Sequence, residues 1–197
     1  MEEIYRSRAE FYAFLSRMFV EEPPLKLAED IASRKFPVIE VSSFNSDFAE
    51  GVYLIKKFMK SERDAKKIFN TLCEEYTRLF LGPSPVMFPY ESRYVDGIMM
   101  GKSLIKVKEE YRCFGLEKVQ GYHEPEDHIA VELGFMSCLC RNKTNEAFKI
   151  QKEFLNNHLL KWVPEFCDEL YEKSKNDFYK GIGKLTKGFI ISEKDVV

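Results

Sequence analysis

"GYHEPEDHIAVELGFM", residues 121–136, is the stretch on which the reading of this chain turns. Between His123 and His128 stand two histidines, three carboxylates and a proline, and from Ile129 the run becomes apolar. Such a cluster suits an active site, a metal site or a joint between helical segments. Proline lacks an amide donor and its fixed φ suits a first helical turn, so a helix is expected to open at Pro125. Ile129, Leu133, Met136 and Leu139 then recur at helical spacing. In that register Glu124 is the N-cap and Asp127 the third residue, its carboxylate placed to reach an unsatisfied amide at the positive end of the helix dipole. Capping explains Asp127 well and His128 poorly. A neutral imidazole bonding across a joint fits His128 better.

The same periodicity extends in both directions. Glu2–Val20 puts Ile4, Arg8 (through its stem), Tyr12, Leu15 and Phe19 near one face, and "EEPP" at 21–24 ends it. A short helix is expected after Pro24 and a loop over 36–46. Helices are expected over Asp47–Lys60, Glu62–Leu81 and Met100–Phe114, closed by Gly82-Pro83 and by Gly115. Downstream, helices are expected over Asn145–Trp162, from Pro164 to about Lys173, and around Phe178–Phe189. The expected fold is an all-α helical bundle, one domain over 1–197. An N-terminal part, 1–115, and a C-terminal part, 125–197, are joined by a hinge at about 115–125.

Composition narrows the function. Thirty basic against 32 acidic side chains leave a net charge of −2, with no cationic excess for nucleic acid. Five cysteines without framework spacing point to a reducing, cytoplasmic setting. The start, "MEEIYRSRAEFYAFL", is acidic and then amphipathic, so it reads as a first helix, not a secretory leader. No apolar run is long enough to span a bilayer, so stable membrane insertion is not expected.

Chemistry finds little support. Glu124, His128 and Glu132 fall at i, i+4 and i+8, but a helix opening at Pro125 leaves Glu124 at its edge, and no further His or Cys pair completes a metal site. Cys138 and Cys140 diverge by roughly 200° on a helix and cannot chelate together. No nucleophile elbow, phosphate loop or dinucleotide turn occurs. The chain is not expected to be an enzyme or to hold a cofactor. The competing reading is a metal-dependent hydrolase centred on Glu124, Asp127 and His128. A third is a helical scaffold whose aromatic segment 82–98 docks a folded partner.

Three motifs in order carry a resemblance: "YTRLFLGPSPVMFPYES" from Tyr76, the Glu124-Pro125-x-Asp127-His128 signature, and "FLNNHLLKWVPEF" from Phe154. Together they resemble the TorD/DmsD/NarJ family of redox-enzyme maturation chaperones. The resemblance implies an all-helical cytoplasmic protein that binds the twin-arginine leader peptide, and often the body, of a molybdopterin oxidoreductase catalytic subunit before export. It also allows a homodimer. The peptide-binding residues it implies are Tyr76, Leu79, Phe80, Pro89, Tyr90, Glu91, Ser92, Glu124, Pro125, Asp127 and His128. Physically, Leu79, Phe80, Met87, Phe88 and Tyr90 are expected to line an apolar groove. Glu91, Asp96, Glu124, Glu126 and Asp127 are expected to face the two guanidinium groups.

Overall fold

A computed structural model describes residues 2–36, 45–117 and 122–197, and they are all-α. The helices are α1 (Glu2–Val20), α2 (Leu25–Ala32), α3 (Ser46–Ser61), α4 (Ala65–Tyr76), α5 (Glu91–Val95) and α6 (Lys102–Cys113). They continue with α7 (Ile129–Arg141), α8 (Asn145–Phe154), α9 (Leu160–Lys173) and α10 (Asp177–Ser192), and a 3-10 turn follows at Glu193–Asp195. The one extended pairing among the described residues is an isolated antiparallel bridge between Tyr90 and His128. The loop expected at 36–46 lies, apart from its ends, outside the described residues.

Packing sorts the chain into two units, each built from stretches remote in sequence. Unit 1 comprises residues 1–20, 89–165 and 193–197; unit 2 comprises 21–88 and 166–192. Membership is decided by which apolar faces meet, and the described residues of the expected hinge all belong to unit 1. In unit 1, α1 lies along α7 and buries Tyr12, Leu15 and Phe19. The Ser16 hydroxyl donates to the Ala130 carbonyl at 2.7 Å, and that of Ser137 to Ala9 at 2.8 Å. The buried Arg8 guanidinium grips the Glu193 carboxylate at 2.6–3.0 Å. Rings of Tyr111, Phe135 and Phe154 fill the space between α6, α7 and α8, with Tyr111 and Phe135 centroids 4.4 Å apart.

Two helical segments depart from the expected continuous α-geometry. Thr77–Leu81 and Leu155–Leu159 are π-turns, the first closed by Gly82 N–H donating to the Thr77 carbonyl at 2.7 Å. Pro164 does not open a helix; it lies inside α9, where it removes the bond its amide would give to Leu160. The helix beyond the signature also starts four residues later than expected, at Ile129 rather than at Pro125.

In unit 2, α3 and α10 approach closely because glycines leave room for backbone contact. A Cβ on Gly51 would stand 2.6 Å from the Leu185 nitrogen and 2.8 Å from the Gly181 carbonyl oxygen. Neither backbone atom can swing aside as a side chain would. Gly51→Ala is expected to lower stability by about 1–3 kcal/mol despite alanine's better helix propensity. Urea denaturation checks this, with Ala49→Gly on the exposed face of α3 as the control for propensity alone.

Candidate functional site

The signature residues assemble with the "PYES" segment into one lock inside unit 1. Glu91 N–H donates to the Asp127 carbonyl at 2.9 Å, and Ile129 N–H donates to the Pro89 carbonyl at 2.9 Å. These bonds form the Tyr90–His128 bridge, with the two rings edge to face at 5.1 Å. The Asp127 carboxylate accepts from Ser92 N–H at 3.0 Å. It thus caps α5, a helix 35 residues away in sequence, and does not cap the helix that follows it. His128 takes that role: its Nδ1 accepts from Ala130 N–H at 3.1 Å as the N-cap of α7. The expected capping register is therefore corrected. Pro125 precedes the helix by four residues, so Glu124 caps nothing there and bonds Tyr90 instead.

That Tyr90 hydroxyl donates to Glu124 Oε2 at 2.5 Å. Burial, reinforced by the Glu124 carboxylate, holds the phenol well above its usual range. Burial alone drives His128 down to about 3, so its ring is neutral, with its proton on Nε2 while Nδ1 accepts. A neutral ring also suits the positive end of α7.

Beneath the lock sits a polar group for which motif reading gave little signal. His158, on the second π-turn, bridges Glu91 Oε2 at 2.7 Å and Glu110 Oε1 at 3.1 Å. Burial pulls its pKa down, but the hydrogen bonds to Glu110 and Glu91 outweigh that and lift it to about 9. Trp162 Nε1 donates to Glu132 Oε2 at 3.1 Å, and burial with the nearby Glu91 charge pushes the Glu132 carboxyl well up. His158 and Trp162 were legible only as members of the third motif. Glu110 lies in a charged run, "KVKEEYR", that looks like a solvated face.

The implied peptide-binding residues divide between the two units. Pro89 to Ser92 and Glu124 to His128 belong to unit 1, whereas Tyr76, Leu79 and Phe80 belong to unit 2. Leu79 is fully buried and Tyr76 nearly so, with the Tyr76 ring 5.1 Å from Phe80 and 6.4 Å from Tyr179. Met87 is buried too, its amide donating to the Leu79 carbonyl at 2.9 Å. Glu91, Ser92, Asp127 and His128 are also buried. Tyr90, Glu124, Pro125 and Phe80 keep part of their surface exposed.

Unit 1 carries an apolar pocket of about 540 Å³ lined by Val20, Tyr122, Val131, Phe135 and Cys138. It shares Tyr111, Leu116 and Glu117 with a charged recess holding Lys108, Arg112 and Glu126. Lys108 Nζ lies 3.2 Å from Glu126 Oε2. The hydrolase reading fails on geometry, since Glu124, Asp127 and His128 each bond a different group: Tyr90, Ser92 and Ala130. Among the described residues no group of three or more His, Cys, Asp or Glu side chains is arranged to hold a metal ion.

The chain is similar to known proteins along most of its length. A family model described as nitrate reductase delta subunit matches residues 42–168. Chaperone protein TorD of Vibrio cholerae is 28% identical, covering 95% of this chain and 90% of its own. That of Aliivibrio fischeri is also 28% identical, over 93% and 91%. A solved structure from Archaeoglobus fulgidus, described as a redox enzyme maturation protein, superposes with a TM-score of 0.57 at 25% identity, covering 93% of each chain.

Two outcomes follow from the geometry. Asp127→Ala removes the α5 cap and is expected to cost about 0.5–2 kcal/mol in denaturant unfolding, with Asp127→Asn recovering much of it. His158 has a folded pKa of about 9, above the unfolded value near 6.5, so its contribution is complete below about 6.5 and lost as pH rises through about 9. The melting temperature of the native protein should fall across that window, and His158→Gln should flatten the fall.

Proposed function

As a member of the nitrate reductase delta subunit family, this chain is a redox-enzyme maturation chaperone and not an enzyme, and we propose that its ligand is a twin-arginine leader peptide. The leader belongs to a molybdopterin oxidoreductase catalytic subunit. The chaperone holds that subunit in the cytoplasm until its cofactor is inserted and export can begin. No helix among the described residues is long and apolar enough to cross a membrane, which accords with this.

The observation that carries the reading is the apolar pocket of unit 1 with Glu117 at the edge it shares with the charged recess and Glu126 within that recess. A twin-arginine leader offers two guanidinium groups followed by an apolar stretch, the same sequence of polarities. The apolar stretch occupies the pocket against Val131 and Phe135, and the arginines meet Glu117, Glu124 and Glu126. Tyr90, Glu124 and Pro125 form the outer edge, while Asp127, His128, Glu91 and Ser92 act by fixing that edge. Tyr76, Leu79 and Phe80 belong to unit 2 and are not assigned to this pocket. Apolar contact supplies most of the affinity, since burying one Leu-sized side chain is worth roughly 1.5–3 kcal/mol and an exposed ion pair about 0.2–1 kcal/mol.

Calorimetric titration with a synthetic twin-arginine leader tests this, with a dissociation constant of about micromolar expected. Val131→Asp should abolish the heat. Glu124→Gln with Glu126→Gln should weaken the intact leader and leave a leader with both arginines replaced by alanine unaffected. Lys108→Met, which frees Glu126, should strengthen the intact leader. Equal affinity for arginine and alanine leaders, or no heat from either, would overturn the assignment.

A further inference from the structure

The interior of unit 1 holds more carboxylates than its donors can satisfy. Glu132 is 0% exposed, Asp127 1% and Glu91 2%, and the charges of the other two act on Glu132. Asp127 accepts from Ser92 N–H at 3.0 Å, and Glu91 is held by the His158 ring at 2.7 Å. The positive charge on His158 is shared with Glu110 at 3.1 Å, and Arg8, the cation that α1 buries, is committed to Glu193. Of the other titratable groups around Glu132, Tyr111 donates to the Glu126 carbonyl at 3.1 Å and His128 has a neutral ring. Glu132 has only the indole of α9, whose Trp162 Nε1 donates to its Oε2 at 3.1 Å. Its other oxygen, Oε1, is buried and meets no hydrogen-bond partner among the described residues.

A carboxylate with one donor, one bare oxygen and two like charges beside it is too costly for a dry interior. A proton on Oε1 cancels the charge and turns the bare acceptor into a donor for its acidic neighbours. We propose that Glu132 is a positioning residue that keeps its proton at neutral pH and through it holds Glu91 in place for leader binding; the second half rests on the leader reading above. Glu91 opens α5 directly after Tyr90, and its N–H closes the bridge onto the Asp127 carbonyl. A push on Glu91 is therefore passed to Tyr90 and to the Glu124 that Tyr90 holds. Loss of the Glu132 proton would set a third negative charge against two, while His158 and Arg8 already have partners. Folding thus takes up a proton at Glu132. Its stabilising contribution is complete below the unfolded value of about 4.3 and is lost steadily as pH rises toward the higher folded one. His158 begins to lose its own contribution only above about 6.5, so the range from about pH 5 to 6.5 isolates Glu132.

Denaturant unfolding of the wild-type chain and of Glu132→Gln tests the proton, because the amide keeps an acceptor for Trp162 and supplies a donor without charge. The ratio of their folding equilibrium constants should widen in favour of the glutamine variant by about tenfold per pH unit from about pH 5 to 6.5. Infrared difference spectra at neutral pH should show a protonated-carboxyl band in the wild type that Glu132→Gln lacks. Parallel stability curves, or no such band, would overturn the proposal. Leader titration tests the positioning. Glu132→Met fills a similar volume without the hydrogen bond and should weaken the leader about tenfold, whereas Glu132→Gln should retain binding. Wild-type affinity in a folded methionine variant would overturn the positioning role. If that variant does not fold, the alkaline limb decides: as the infrared band disappears, the wild type should lose leader affinity relative to Glu132→Gln, and unchanged affinity would overturn the role. No leader heat from the wild type would sink the leader assignment alone, since the band and the stability ratio are read without a leader.

Discussion

Everything at the candidate site hangs on one short antiparallel contact in which neighbouring residues cap two different helices. His128 has extended backbone angles, φ −73° and ψ 137°, so its side chain and that of Asp127 point to opposite sides. One carboxylate reaches the first turn of α5 and one imidazole the first turn of α7. Helix starts leave amides without partners, and a buried start needs a side chain to accept from them. The acid-histidine pair meets that need twice over from two consecutive positions. A five-residue helix such as α5 could not persist without it.

The ligand-facing groups are consequences of this lock. Tyr90 sits in the bridge itself and its hydroxyl meets Glu124, so the exposed edge has no freedom to wander. Below it, His158 ties the start of α5 to α6 through two carboxylates. The buried residues of the signature therefore act on a ligand through position, and the partly exposed ones act by touch.

Helix existence was easy to read because buried apolar residues recur at 3.6: Asp47–Lys60 was expected and Ser46–Ser61 is observed. What escaped was geometry that leaves the period nearly intact. A π-turn adds one residue within a helix, so Glu62–Leu81 and Asn145–Trp162 looked continuous. Pro125 and Pro164 both suit a first helical turn and neither occupies one, because local preference yields to tertiary bonding. The division into units was unreadable for a similar reason: α1 and α7 are far apart in sequence, and helical spacing says which face is buried but not against what. The site was half legible. Pro89 to Ser92 and Glu124 to His128 do come together in unit 1, yet their roles depend on Asp127 reaching Ser92, a contact no local pattern encodes. Leu79 and Met87, both buried, read as groove because apolar residues near a proline-rich loop look alike whether they serve a core or a ligand.

The Arg8–Glu193 pair joins the first helix to the last turn across 185 positions. A ribosome releases the amino end long before the carboxyl end exists, so throughout synthesis this guanidinium waits without its counter-charge. A buried charge robbed of its partner costs about 3–5 kcal/mol, a large share of a typical domain's stability. Any chain that lacks Glu193 would thus bury an uncompensated guanidinium, so the seating of the first helix is decided by a group 185 positions away.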